Sequence, residues 1–393
     1  MQLKHLVALA LAVSLPTHGF ALGIRLFDHD AFATARGDAF VATADNPSAI
    51  YYNPAGISQL SGQNIRGGIN FLSLDVGYED RSGRDYSTRH EIVPVPGFFY
   101  TYAPTNFPIT FGLGYYVPYG LSLEWPDNTP FRTTVTRGEL QYNTLNPVFS
   151  WQALKSLSIA AGPTINYAKT DLRRGIATAG DEFKFTGDDF VFGVSAGLLW
   201  KPALQHSFGV SYRSPTTLNL EGKSRILPYP VPVQQASVEL PMPQVIIAGY
   251  SFRPTPHWNL EVDIDWTDWS NLNDVVLKQS TGNITLPFNW KSSWAYEAGV
   301  TRYFDNGLHV SGGYVFLQNS VPTESFNPLV PDQDLHVFST GVGGSGKIFS
   351  WDLSYQFSYG PGREVAGSVY GPSVSGNYTF IAHALAISLG YKF

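Results

Sequence analysis

The sequence has no cysteine, so no disulfide framework is available to it. That absence fits a cytosolic chain and an exported one that avoids stray thiols equally well. Charge is scarce too. Asp, Glu, Lys and Arg make up 14% of the 393 residues, against roughly 25% in soluble domains. The formal net charge is −6, and no basic patch offers nucleic-acid phosphates an electrostatic footing. Long apolar runs are missing as well. The run from Leu6 to Leu15 is about half of the ~20 residues that a spanning helix needs, and no later segment comes closer. It follows basic Lys4 and precedes small residues ending at Ala21, which predicts a secretory signal over 1–21 and an exported remainder without a transmembrane helix.

What the chain does have is aromatic residues, at 15%, and a period of two from about residue 62 to the end. In 259–267, Leu260, Val262, Ile264 and Trp266 share one face, while Glu261, Asp263, Asp265 and Thr267 share the other. Residues 352–359 repeat the pattern, as do Leu385, Ile387, Leu389, Tyr391 and Phe393. Strand side chains alternate between faces, so these segments present one apolar and one mixed surface.

The connections alternate as well. Short turns fall near 103–107, 152–156, 201–206, 253–257, 305–307 and 344–347, and longer polar or Pro-rich stretches near 79–90, 119–139, 171–186, 217–237, 269–290, 319–333 and 361–377. Six short and seven long connections imply fourteen strands. An even-stranded antiparallel sheet with tight turns at one end and long loops at the other is the pattern of an all-β transmembrane barrel, closed so that no sheet edge meets lipid. A secreted β-sandwich or jelly roll is the soluble rival, but it leaves a two-faced sheet of this size without cover. Residues 191–200 are apolar on both faces, which predicts a lumen that is partly dry or plugged.

Ahead of the strands, AFATARGDAFVATADNPSAIYYNPAG (31–56) lacks alternation. Asn46-Pro47-Ser48 supplies a helix cap followed by proline at a first-turn position, and Asn53-Pro54 ends that helix and caps another turn. The expected organisation is a signal over 1–21, a partly helical hatch over 22–61 plugging the lumen, and a barrel over 62–393.

Here the chain resembles the FadL-type outer-membrane transporters of long-chain fatty acids and, in relatives, aromatic hydrocarbons. The resemblance rests on Ala35-Arg36-Gly37, Ala44-Asp45, Ser48-Ala49 and above all Asn53-Pro54-Ala55-Gly56, with support from 119–122, 266–269 and 331–334. It covers essentially the whole exported part. It implies passive passage of a hydrophobic small molecule: capture among outer loops, movement of a hatch gate at Asn53, Pro54, Ala55 and Gly56, and sideways exit into outer-membrane lipid. The exit would lie where the third strand kinks inward, here 109–118, with Gly112, Gly114 and Pro118 suited to the kink. Leu121, Leu123, Trp125, Phe131, Phe183 and Phe185 are the candidate capture residues. No cofactor, metal or nucleic-acid partner is implied, and a monomer suffices, since exit requires only one free wall. The other readings are a channel for aromatic hydrocarbons or alkanes, a general porin, and an outer-membrane receptor or adhesin.

Four features imitate enzyme sites. Gly193-Val-Ser-Ala-Gly197 matches GxSxG, but the alternation of Phe192, Val194, Ala196 and Leu198 places it inside a strand rather than at a nucleophile elbow. Asp28-His29-Asp30 lacks metal-ligand spacing. Glu261, Asp263 and Asp265 fall in a row on one strand face, which reads as a lumen lining rather than a glycosidase pair. Glycine-rich 341–346 lacks the P-loop lysine and falls at a turn.

Overall fold

A computed structural model describes residues 23–393; the expected signal over 1–21 lies outside the described residues. Fourteen long strands close a ring: β1 (Gly62–Asp80), β3 (Glu91–Ala103), β4 (Ile109–Glu124), β5 (Arg137–Leu154), β6 (Leu157–Arg174), β7 (Glu182–Ala203), β8 (His206–Arg213), β11 (Gln244–Thr255), β12 (Trp258–Asp268), β15 (Ser293–Tyr303), β16 (Leu308–Leu317), β17 (Leu335–Ser345), β18 (Phe349–Val365) and β19 (Gly376–Lys392). Each pairs antiparallel with the next, and β1 with β19 over 17 residue pairs completes the cylinder. The remaining strands belong to the long-loop end. β2 (Asp85–Ser87) folds back on β1, while β9 (Thr216–Leu227), β10 (Gln234–Met242), β13 (Asp274–Gln279) and β14 (Ile284–Pro287) form hairpins above the wall.

The six expected short turns appear between strands, whereas several expected loops are shorter. β4 runs to Glu124 and β5 begins at Arg137, so only 125–136 connect them. Stretches 217–237 and 269–290 contain the two hairpins. Once above lipid, a ladder can continue with polar side chains because water satisfies them.

Alternation decides which face is which. Along β19, Ile381, Leu385, Ile387, Leu389 and Tyr391 point outward and are exposed, while Ala382, Ala384, Ala386 and Ser388 point inward and are buried. Trp151, Trp200, Trp258, Phe349 and Tyr391 stand outward near the short-turn end, an aromatic girdle at a membrane interface. The small inward residues leave room for residues 23–61, which lie inside the ring. Strand β7 follows the same rule: Phe192, Val194, Leu198 and Trp200 face outward, and Ser195 and Leu199 inward.

That plug is held by short elements and by the wall. Helix α1 (Ala31–Ala35) begins at Asp30, whose carboxylate accepts the Phe32 N–H. Helix α2 (Ala49–Tyr52) follows the Asn46 turn, where the Asn46 side chain accepts the Ser48 N–H at 2.8 Å. A 3-10 turn then spans Pro54–Gln59. Helices this short are not stable alone; Phe32, Phe40, Ile50, Tyr51, Tyr52 and Ile57 bury their side chains against Phe99, Tyr116 and Val148 of the wall.

Ion pairs fix the plug's orientation. Arg66 of β1 bridges Asp30 and Asp352, and Asp352 meets His309 at 2.7 Å. On β12 the acidic row Glu261, Asp263 and Asp265 is the plug's seat. Glu261 accepts the Ala42 and Thr43 N–H groups at 2.7 and 3.1 Å, and Asp263 accepts those of Phe40 and Val41 at 2.9 Å each. Arg36 pairs with Glu261 at 3.2 Å and Arg25 with Asp265 at 2.6 Å. Removing one partner of such a buried pair costs about 3–5 kcal/mol.

Candidate functional site

Between β3 and β4 the ladder stops part-way along the wall. Those strands pair only from Phe98↔Tyr115 to Tyr102↔Phe111, in the half nearer the short turns. Above that point β3 stays on β1, while β4 stays on β5 with a register shift between Tyr116 and Tyr119. The β4 edge that β3 leaves is taken by the plug. Leu26 N–H donates to Pro118 O and Gly120 N–H to Ile24 O, both at 2.9 Å. β4 therefore bends into the lumen, and all residues from Tyr116 to Leu123 are buried.

On the other side of the break, Pro94 and Pro96 pair with Phe71 and Ile69 of β1. A proline can hold a ladder place only where its missing N–H faces away from the partner, here toward β4. Two donors are thus absent from the edge where pairing stops. Leu26, Val95 and Val117 form the apolar cluster across this break, with Leu72 against it. Pro118 sits in the register shift. Gly112 and Gly114 lie below it, in the regularly paired part, where a Cβ on either would press on Ile50 of the plug at 2.9 and 2.7 Å. Those glycines let the plug approach the wall. Pro94 and Pro96 were the missed signal: two prolines two apart in a strand mark an edge.

In the Asn53-Pro54-Ala55-Gly56 stretch, the Asn53 side-chain oxygen Oδ1 accepts the Ala55 N–H at 3.1 Å and caps the 3-10 turn. Its amide donates to Val41 O at 2.8 Å and to Leu198 O of β7 at 3.0 Å. One buried side chain thereby ties two plug segments to the wall. Gly197 is obliged to lack a side chain, because a Cβ there would overlap the Asn53 oxygen, and Gly56 likewise lies against Ala44 O. The GxSxG glycine is a packing feature of the wall.

Of the expected capture residues, Leu121 and Leu123 lie on β4, not in a loop. Trp125 and Phe131 pack with Tyr78 and Tyr378, and the Trp125 indole donates to Pro328 O at 2.9 Å. Phe183 and Phe185, on β7, do line a cavity of about 70 Å³ with Leu172 and Leu277. Three guanidinium-bearing residues border it. Arg137 is paired with Glu124 and Glu139, and Arg173 with Asp171 and Glu182. Arg174 lies over the Phe183 ring and donates to Thr133 O at 3.2 Å; it forms no ion pair among the described residues. The cavity joins apolar walls to an available cation.

Between β16 and β17, Asp332 accepts the Ser320 N–H at 2.8 Å and the Gly23 N–H at 3.2 Å, tying the start of the plug to a loop. Burial pushes this carboxyl up to about 6. Among the described residues no group of His, Asp and Glu has the arrangement of a metal site.

The model of the family described as "Outer membrane protein transport protein (OMPP1/FadL/TodX)" matches residues 12–393. The chain belongs to this family. It is an outer-membrane β-barrel of a non-enzymatic channel family that moves hydrophobic compounds. The long-chain fatty acid transport protein of Escherichia coli O6:H1 is 26% identical over 85% of this chain and 86% of its own length. Among solved structures, a Pseudomonas aeruginosa FadL homologue superimposes with a TM-score of 0.83 at 18% identity, covering 94% of this chain and 100% of its own. The Ralstonia pickettii toluene transporter TbuX gives 0.73 at 15%, covering 94% and 99%. Both likenesses concern the FadL fold, in which a barrel of this strand number encloses an N-terminal segment with short helices.

Proposed function

We propose that this FadL/TodX-family barrel takes up long-chain fatty acids by lateral passage through its wall. The observation that carries the reading is the break between β3 and β4, where an apolar cluster rather than a hydrogen-bonded ladder separates lumen from lipid. A fatty acid is held first in the cavity beside Arg174, its chain among Leu172, Phe183, Phe185 and Leu277 and its carboxylate at the guanidinium. An ionised carboxylate gains roughly twice the hydrogen-bond strength that a neutral head would, which favours an acid over a hydrocarbon. Movement of the plug about its Asn53 latch then opens the way past Leu26 to the gap. Leaving sideways keeps the alkyl chain covered, sparing about 0.8 kcal/mol for each CH₂ that an aqueous lumen would expose. Outer-membrane lipid receives the cargo, and one free wall is enough, so a monomer can do this.

Because the chain has no native cysteine, the gap can be closed chemically. Cells lacking their own transporter and carrying Val95→Cys/Val117→Cys should take up radiolabelled oleate when reduced and lose uptake on treatment with a short bis-maleimide, which adds one cysteine thiol at each end. Undiminished uptake after verified crosslinking would sink the lateral route. Uptake of toluene but not oleate would move the cargo to aromatic hydrocarbons. Uptake of neither by correctly inserted protein would favour the receptor reading.

A further inference from the structure

A second chamber, of about 40 Å³, lies between the plug and the wall. Leu74, Val315, Leu317 and Phe380 form its apolar wall, and Asp28, Asp38 and Glu297 contribute carboxylates. Leu26 and Leu72 border this chamber and also belong to the cluster at the wall break, so the chamber stands directly behind the proposed exit. Its polar groups are unevenly satisfied. Gln356 donates to Asp28 at 3.1 Å and the Tyr52 hydroxyl to Asp38 at 3.0 Å. Arg25 also borders the chamber, but its guanidinium is bound to Asp265 and to Thr267, the latter at 2.7 Å. Glu297 is 5% exposed, and among the described residues it has neither a hydrogen bond nor an ion pair.

A buried carboxyl without a donor is costly, and this one faces space rather than a neighbouring side chain. The missing element is a donor. A further anion would meet three carboxylates already there, and like charges raise the cost of ionisation.

We infer that this chamber is a head-group site for hydrophobes whose polar end donates a hydrogen bond or carries positive charge, such as alkyl amines and alcohols, and that it excludes the carboxylate anion. The inference rests on the lateral-route reading and adds a selectivity to it. A fatty acid held at Arg174 as the anion enters here only as the neutral acid, with its O–H directed to Glu297. The two cavities thus have opposite electrostatic preferences, so a cargo meets them as different tests of its head group.

The experiment is native mass spectrometry of the detergent-solubilised full barrel with dodecylamine, dodecanol or dodecanoate, in wild type, Glu297→Gln and Arg174→Gln. Heat-modifiable migration on gels checks that each barrel is folded, and Asp38→Asn serves as a second chamber variant. Glu297→Gln should weaken dodecylamine binding about tenfold, the scale of one charge-assisted hydrogen bond, and leave the dodecanoate bound through Arg174 in place. Arg174→Gln should do the reverse. Dodecylamine binding indifferent to both Glu297→Gln and Asp38→Asn, alongside dodecanoate binding that Arg174→Gln removes, overturns the head-group site and leaves the transport reading standing. No binding of any of the three ligands overturns both.

Discussion

Replacing Asn53 by alanine should loosen the plug without harming the barrel. The side chain makes three hydrogen bonds: it caps Ala55 N–H and donates to Val41 O and Leu198 O. Loss of the cap costs about 1 kcal/mol. The Val41 carbonyl it leaves behind is buried and that of Leu198 part-buried, and each loses a donor at about 1 kcal/mol. The sum is about 3 kcal/mol, which raises the population of a locally open 53–59 segment roughly 100-fold. Hydrogen–deuterium exchange of peptides covering 53–60 reads that change directly, with β19 amides as the internal reference because they are bonded on both sides. Exchange within about threefold of wild type would refute the latch, since three lost hydrogen bonds, two of them buried, yield a larger effect. Oleate uptake that changes while exchange does not would instead put Asn53 on the cargo's path.

Gly197→Ala inserts a methyl where the Asn53 oxygen lies, so it should destabilise by about 1–3 kcal/mol. Because Asn53→Ala vacates that space, the double variant should lose less than the two losses added, as measured by thermal unfolding; strict additivity would separate the two sites. Asp332 carries a pH signature. Its carboxyl is raised to about 6 chiefly by burial, so its stabilising contribution is complete below the ordinary value near 3.8 and is lost as pH climbs through about 6. Asp332→Asn removes that dependence. Wild type should therefore lose ground to the variant by at most about 3 kcal/mol between pH 4 and 7, and a difference that stays flat across the range would refute the assignment.

The barrel could be read from sequence because lipid makes the same demand at every outward position. Ile381, Leu385, Ile387 and Leu389 alternate whatever stands across from them, and turns such as Asp305–Gly307 interrupt the pattern visibly. The inward positions answer to a particular neighbour, and periodicity cannot name it. Alternation located Glu261, Asp263 and Asp265 on the lumen face, but their partners, backbone N–H groups for the first two and the Arg25 guanidinium for the third, lie more than 200 residues away. Gly112 and Gly114 look like kink formers until Ile50 of the plug is found against them. Conversely, Pro94 and Pro96 could have been recognised, since a proline's missing donor is a property of the residue itself. The same distinction explains the loops. Polar 171–174 and 182–186 read as connection, yet they extend β6 and β7, joined by Arg173, Lys184 and their acidic partners. Beyond the lipid boundary the outward faces of a ladder need not be apolar, so alternation in hydropathy fades while pairing continues. What the sequence states clearly is therefore the height of the hydrocarbon layer, and the device that acts within it, a plug fitted to one wall, is written in pairs.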